Sequence, residues 1–224
     1  MTTVLVTPPT EGDLVSASLK PQIDSIVEQL IASLPDPEKL DSSERRGIIA
    51  RYTAVLEGNF IYWMTATYLS AKSEEVRPII IDNLREEIAD CHPAMLRNFT
   101  IAAHAFPSDS DALEVHRDLT NVRLFLSQLS GPQNILTMAF FERFIQQFMA
   151  YLANLARAQG SVESVYTDVH GVCDVAHSQE LFRALSAELA VDPIDPSADL
   201  FEGVDLLRTL IQTIIHGSGE KVAA

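Results

Sequence analysis

Three side chains that can bind a metal ion lie close together near the C-terminal third of the sequence: His170, Asp174 and His177. In a helix each residue turns by about 100°, so these three side chains would share one narrow face. Two imidazoles and a carboxylate suit iron, manganese or zinc, and with open coordination positions they form the set that activates oxygen at iron. A surface stripe or a hydrogen-bonded pair in the core is the alternative.

A two-metal site would need ligands from other helices, and two places in the sequence offer them. Glu142 lies among large apolar residues, which favours either a metal ligand or a charge at the edge of a bundle. Glu87 and His92 would point about 140° apart on an unbroken helix. A break before Pro93 would let His92 turn back over the helix end, because a residue that precedes proline disfavours helical geometry. Glu86 is the fallback ligand.

Apolar residues recur every three or four positions almost throughout the chain, which predicts helices rather than strands. Prolines, glycines and potential capping residues divide the pattern. The expected fold is all-α, a single-domain bundle of seven to eight helices over residues 1–224, with residues 1–12 and 217–224 expected to be flexible. The helices are predicted over residues 14–33, 42–71, 73–90, 93–106, 108–129, 133–158, 161–190 and 198–216.

The composition of the chain argues against two classes of binding partner. The chain has 224 residues, of which 47% are hydrophobic, and a formal net charge of −15. An acidic protein is poorly suited to nucleic acid or to an anionic membrane surface, so neither is expected as a partner. Only two cysteines are present and no basic or apolar leader opens the chain, which predicts a cytoplasmic protein. A homodimer is compatible with these features.

These motifs, in this order, resemble those of the haem-oxygenase-like non-haem diiron oxidases, including CADD-like proteins. The resemblance covers residues 45–190 and rests on Asn83-x3-Glu87, His92-Pro93, Glu142 and His170-x3-Asp174-x2-His177. It implies a haem-oxygenase-like fold, two Fe(II) ions and O2 as a co-substrate. It also implies six metal ligands, which are Glu87, His92, Glu142, His170, Asp174 and His177.

The resemblance further implies oxidation of a small amino-acid-like substrate. With an aromatic flank on the sixth predicted helix, the favoured reaction is oxidative rearrangement of a tryptophan-type amino acid to a nitrile. The residues expected to contact the substrate are Trp63, Phe140, Phe141 and Phe144, for which plain core packing is the alternative. Family members that consume their own side chains carry a lysine about ten residues after the sixth-helix glutamate. This chain has Tyr151-Leu152-Ala153 there, so that activity is not expected.

Other functional classes stay open at this point. Ferritin-like diiron proteins use Glu-x-x-His pairs, and this sequence has none. Fatty-acid or amino-acid N-oxygenases and C–C lyases of the same fold are alternatives within the resemblance. A non-enzymatic helical interaction protein is the alternative outside it, and iron uptake with oxygen consumption would separate the two.

Overall fold

The computed structural model describes residues 11–195 and 197–218, without the side chains of residues 11, 13 and 172–175. Within those ranges the chain is helical and contains no strand, so the all-α prediction is confirmed. The nine helices of the described ranges are α1 (Glu11–Ala32), α2 (Ser42–Leu56), α3 (Asn59–Ser70), α4 (Val76–Ala89), α5 (His92–Ala102), α6 (Asp109–Leu126), α7 (Gly131–Ala158), α8 (Val165–Val191) and α9 (Glu202–His216).

The long helix predicted over residues 42–71 is in fact two helices, α2 and α3. The helix ends at Leu56, Glu57 has an extended backbone, and Gly58 adopts a left-handed conformation with φ of 79°. Glycine reaches this conformation without the steric cost that a Cβ atom would bring. Apolar spacing continues through the break, which is why the sequence pattern did not reveal it.

The break predicted before Pro93 is confirmed, but it falls at Cys91, one residue before His92. Cys91 has a positive φ of 57°, and His92 is already the first residue of α5. Pro93 then occupies the first turn, where its missing N–H group costs nothing. Cys91 separates α4 from α5, and the His92 side chain at the start of α5 lies 2.8 Å from the Glu87 carboxylate on α4.

The other predicted helices are present with shifted ends. Asp41 caps α2 through a capping box with Glu44. Ser108 caps α6 through a capping box with Asp111. Helix α8 begins at Val165 rather than at Ser161. The expected flexible ends fall mostly outside the described residues.

Helix α7 forms the centre of the bundle. Its side chains are buried along most of its length, including Phe140, Phe144 and Phe148, and its most extensive contacts are with α8. Helices α3 and α4 pack against this pair on one side, while α2, α6 and α9 pack together on another. None of the described helices is both long enough and apolar enough to cross a membrane.

Candidate metal centre

Helices α4, α5, α7 and α8 bring five of the six predicted ligands into one region. Glu87, His92, Glu142, His170 and His177 are each between 3% and 6% exposed. The side chain of the sixth, Asp174, lies outside the described residues. Positions 83 residues apart in the chain, Glu87 and His170, therefore share one buried site.

Glu87, His92 and His170 form the tighter part of the centre. One ligand atom from each lies within 4.8 Å of the other two. His92 Nδ1 is 2.8 Å from Glu87 Oε1, and His170 Nε2 is 3.9 Å from the same oxygen. The two imidazole rings meet edge to face, with centroids 4.5 Å apart. Two imidazoles and a carboxylate at these separations can surround one metal ion.

Glu142 and His177 form a second, looser group beside it. His177 Nδ1 is 3.8 Å from Glu142 Oε1, and His177 Nε2 is 2.9 Å from Glu86 Oε2. The amide of Asn83 donates a hydrogen bond of 3.1 Å to Glu142 Oε1. Neighbouring helical residues point about 100° apart, so Glu86 and Glu87 face different groups. Glu87 is buried beside His92 and His170, whereas the side chain of Glu86 is half exposed and contacts His177.

The protonation of His170 is fixed by its backbone contact. His170 Nδ1 lies 2.8 Å from the carbonyl oxygen of Tyr166, which can only accept, so Nδ1 carries the proton. Burial lowers the pKa of His170, and the nearby carboxylate of Glu87 only partly offsets this. The neutral ring therefore presents its Nε2 lone pair towards Glu87. A lone pair facing a carboxylate oxygen is favourable when a cation lies between them.

His92 differs in its electrostatic environment. Burial lowers the pKa of His92, but the hydrogen bond and the charge of Glu87 outweigh this effect and raise the pKa overall. In the metal-free chain the raised pKa favours a proton on His92, and its Nδ1 lies 2.8 Å from Glu87 Oε1. A metal ion would replace that proton.

Buried carboxylates elsewhere in the described part of the chain have other partners. Asp111 and Asp118 pair with arginines, and Glu188 accepts hydrogen bonds from the backbone N–H groups of Lys72 and Ser73. For Glu87 and Glu142, the described partners are imidazoles and one amide. Burying a carboxylate without a cation is costly, and a divalent metal ion would remove that cost for both. The donor set therefore fits a metal centre.

A pocket adjoins the centre and is largely apolar. It encloses about 460 Å³, including the part open to solvent. Four of the centre's residues contribute to its wall, namely Glu87, His92, Glu142 and His170, and the rest comes from the α2–α3 break and from α3, α5, α7 and α8. None of the lining residues is a lysine or an arginine.

The aromatic residues predicted to contact a substrate occupy different places. Phe141 lines the pocket. Trp63 is fully buried behind it, edge to face at 5.2 Å between ring centroids. Phe140 and Phe144 are fully buried and are not among the lining residues.

Tyr166 was not among the residues predicted from the sequence. Its carbonyl orients His170, its ring packs on that imidazole at 4.3 Å between centroids, and its hydroxyl lies 2.7 Å from that of Tyr52. Its position four residues before a candidate ligand, one helical turn away, was the available signal. Two of the remaining histidines are exposed. His104 lies two residues after the end of α5, and His116 lies on α6.

Comparisons of the chain with protein-family models, with curated proteins and with solved structures give no match. The resemblance to haem-oxygenase-like diiron oxidases accordingly stays a prediction.

Proposed function

We propose that this protein is a non-haem diiron oxidase that uses O2 to oxidise a small organic substrate. The observation that carries the proposal is a pair of buried carboxylates, Glu87 and Glu142, that face three histidines and have no lysine or arginine among their described partners. Imidazole and carboxylate donors together are the ligand set of oxygen-activating iron sites.

The ligand groups suggest how two ions would divide the site. Glu87, His92 and His170 would hold one ion. Glu142 and His177 would hold the other, together with Glu86 or with Asp174, whose side chain lies outside the described residues. Each group leaves coordination positions unfilled by the described protein atoms, as oxygen activation requires.

Ferrous ions would supply the electrons for O2 reduction, and the protein would supply orientation and exclusion of water. The carbonyl of Tyr166 holds His170 with Nε2 directed at Glu87. The amide of Asn83 holds one oxygen of Glu142 and leaves the other available. The apolar pocket wall, including Phe60 and Phe141, would keep water from the reacting atoms.

The substrate proposed is a small amino-acid-like molecule with an apolar body. In its most specific form, the proposal is the rearrangement of a tryptophan-type amino acid to a nitrile. The aromatic part of the wall, Phe60 and Phe141, suits a ring-bearing side chain. A fatty-acid-like substrate would use the same apolar wall, so substrate screening should include both.

The test is an anaerobic titration of the metal-free protein with Fe(II), followed by exposure to O2 with and without candidate amino acids. We expect saturation at about two ions per chain, as in two-metal sites, and substrate-dependent O2 consumption. The variant His170→Ala should lose at least one ion. His116→Ala, which removes an exposed histidine from α6, is the matched control and should keep both.

Two results would contradict the proposal. Iron uptake that is the same in His170→Ala as in the unmodified protein would place the metal elsewhere. Iron uptake at this site without O2 consumption, in the presence of every substrate class tested, would favour the non-enzymatic alternative.

A further inference from the structure

The open end of the pocket can be located from the exposure of its wall. Gly58 is the exposed residue of the lining, Ile61 and Pro93 are half-buried, and the others are buried. The mouth therefore lies between the α2–α3 break and the start of α5. Glu87, His92, Glu142 and His170 lie at the buried end.

An ion pair links the two elements that border this mouth. Arg97 on α5 pairs through Nη2 with Glu57, the residue at which α2 ends. Glu57 is flanked by Leu56 and Gly58, which both line the pocket, and Arg97 follows Leu96, which also lines it. The pair thus joins the two structural elements that border the opening.

An incoming carboxylate can replace Glu57 as the partner of Arg97. The side chain of Arg97 is 56% exposed and that of Glu57 is 30% exposed. An ion pair so close to water contributes little to stability, and water can solvate either partner when it is released. A guanidinium group also binds an incoming carboxylate through two parallel hydrogen bonds.

Charge inside the pocket opposes an anion. The lining contains no lysine or arginine, and its buried end carries the carboxylates Glu87 and Glu142. An acid that enters with its apolar part first leaves its negative group at the mouth. Arg97 follows the lining residue Pro93 by four positions, on the same face of α5, and this places its cation near the mouth.

From this arrangement we propose that Arg97 binds the carboxylate of an amphipathic acid at the pocket mouth, while the apolar part of the acid lies against Phe60, Leu96 and Phe141. Glu57 holds Arg97 in place and competes with the ligand for it. The inference rests on the proposed function in one respect, that the bound acid is its substrate. In this orientation the apolar end of the acid faces the candidate metal centre, which favours oxidation of a C–H bond far from the carboxylate over the nitrile rearrangement, because an α-amino group would stay at the mouth.

The binding test uses the full-length, metal-free chain and the fluorescence of Trp63, the single tryptophan, which packs against the lining residue Phe141. The probes are 4-phenylbutyrate and its neutral analogue 4-phenylbutanamide, which differ in charge but hardly in shape. We expect the acid to bind about tenfold more tightly than the amide, because a charge-assisted pair replaces a neutral contact. Added salt should reduce that preference.

Three variants separate the role of Arg97 from a general effect. Arg97→Gln should abolish the preference for the acid, while Glu57→Gln should increase it because the competing carboxylate is gone. Arg85→Gln is the control, since Arg85 is an exposed arginine on α4 paired with Asp82, and it should leave the preference unchanged. Equal affinity for acid and amide in the unmodified protein, or no saturable binding of either, would overturn the inference.

Iron titration of Arg97→Gln keeps this inference distinguishable from the proposed function. We expect the variant to bind iron as the unmodified protein does, because the described partner of Arg97 is Glu57, which is not a predicted ligand. Failure of both proteins to bind iron, with the acid preference intact, would contradict the diiron proposal alone. Normal iron binding without any acid preference would contradict the role of Arg97 alone.

Discussion

Two regions of this protein bury carboxylates, and they neutralise them in different ways. Between α2, α6 and α9, Arg46 pairs with Asp111 at 2.7 Å, and Arg51 pairs with Glu114 at 3.1 Å while it donates to the carbonyl of Ile214. Between α4, α5, α7 and α8, the carboxylates meet imidazoles and an amide. Among the described residues, the first region pairs its carboxylates with arginines, whereas the second region has no lysine or arginine beside Glu87 and Glu142.

This difference supports the proposal that the first region is structural and that the second binds a metal ion. A partly buried ion pair that is complete within the chain links helices and needs no ion from solution. A buried cluster of carboxylates and imidazoles gains a counter-charge when a metal ion joins it. The contrast between the two regions can be tested by changing each one separately.

The largest expected effect is on metal affinity. His170→Ala removes a ligand whose geometry is set by Tyr166, and we expect its Fe(II) affinity to fall by about 100-fold or more, beyond the loss typical of outer-shell changes. Asp111→Asn alters a buried carboxylate of the structural region and should leave Fe(II) affinity unchanged. Anaerobic equilibrium competition with a metal indicator measures both. A similar loss in the two variants would remove the distinction between the regions.

Metal binding should also stabilise the fold. At a free concentration of about 100 times Kd, Zn(II), used as a redox-inert probe, should add about 2.7 kcal/mol to the free energy of unfolding. For a chain of this size that corresponds to a rise in Tm of roughly 5–10 °C, measured by calorimetry. In His170→Ala the rise should largely disappear. An equal rise in the variant would mean that the metal stabilises the chain from another site.

The two regions should respond oppositely to removal of one negative charge from the metal-free chain. Asp111→Asn leaves Arg46 without its carboxylate and weakens the capping box with Ser108, and we expect a loss of about 1–3 kcal/mol in the free energy of unfolding. Glu142→Gln keeps an acceptor for Asn83 but removes an uncompensated charge, so its effect should be neutral or slightly stabilising. Urea denaturation at pH 7 measures both changes. A loss in Glu142→Gln as large as that in Asp111→Asn would show that Glu142 already has a cationic partner.

The smallest expected effect is on how the free energy of unfolding changes at acid pH. Burial alone would raise the pKa of Asp111, but hydrogen bonds from Arg46 and Ser108 lower it to about 2. Because the folded-state pKa lies below that of an unfolded aspartate, about 3.9, this group stabilises the fold above pH 4 and loses that contribution as the pH falls towards 2. Denaturation between pH 5 and pH 2 should therefore show a shallower decline in Asp111→Asn. The same slope in both proteins would argue against the pair as a source of stability.

Local sequence patterns predicted most of the helices and the ligands that α8 contributes to the candidate metal centre. His170 and His177 share a helix, so their common direction follows from helical geometry alone. The meeting of Glu142 with His177 depends instead on how α7 packs against α8, which no local spacing encodes. Tyr166, which orients His170 through its backbone carbonyl, could not be distinguished by side-chain type.

The breaks between helices were predicted unevenly, for a physical reason. Proline leaves a clear signal, so the break near His92 was expected. Its position depends on a positive φ at Cys91, a conformation that non-glycine residues seldom adopt. At Gly58 the apolar spacing continues on both sides, and one glycine inside a helical pattern is often tolerated.

The break at Gly58 also lets one stretch of chain serve both regions. Helix α2, before the break, packs most extensively with α6 and also meets α5, α7 and α9, whereas α3, after it, packs mainly with α4 and α7. Because the two helices are separate, α3 can take a direction that α2 does not share. Substitutions of Phe60 or Ile61 in the pocket wall therefore fall on a different helix from Arg46 and Arg51. The pocket can change its shape by substitutions that leave those two arginines in place.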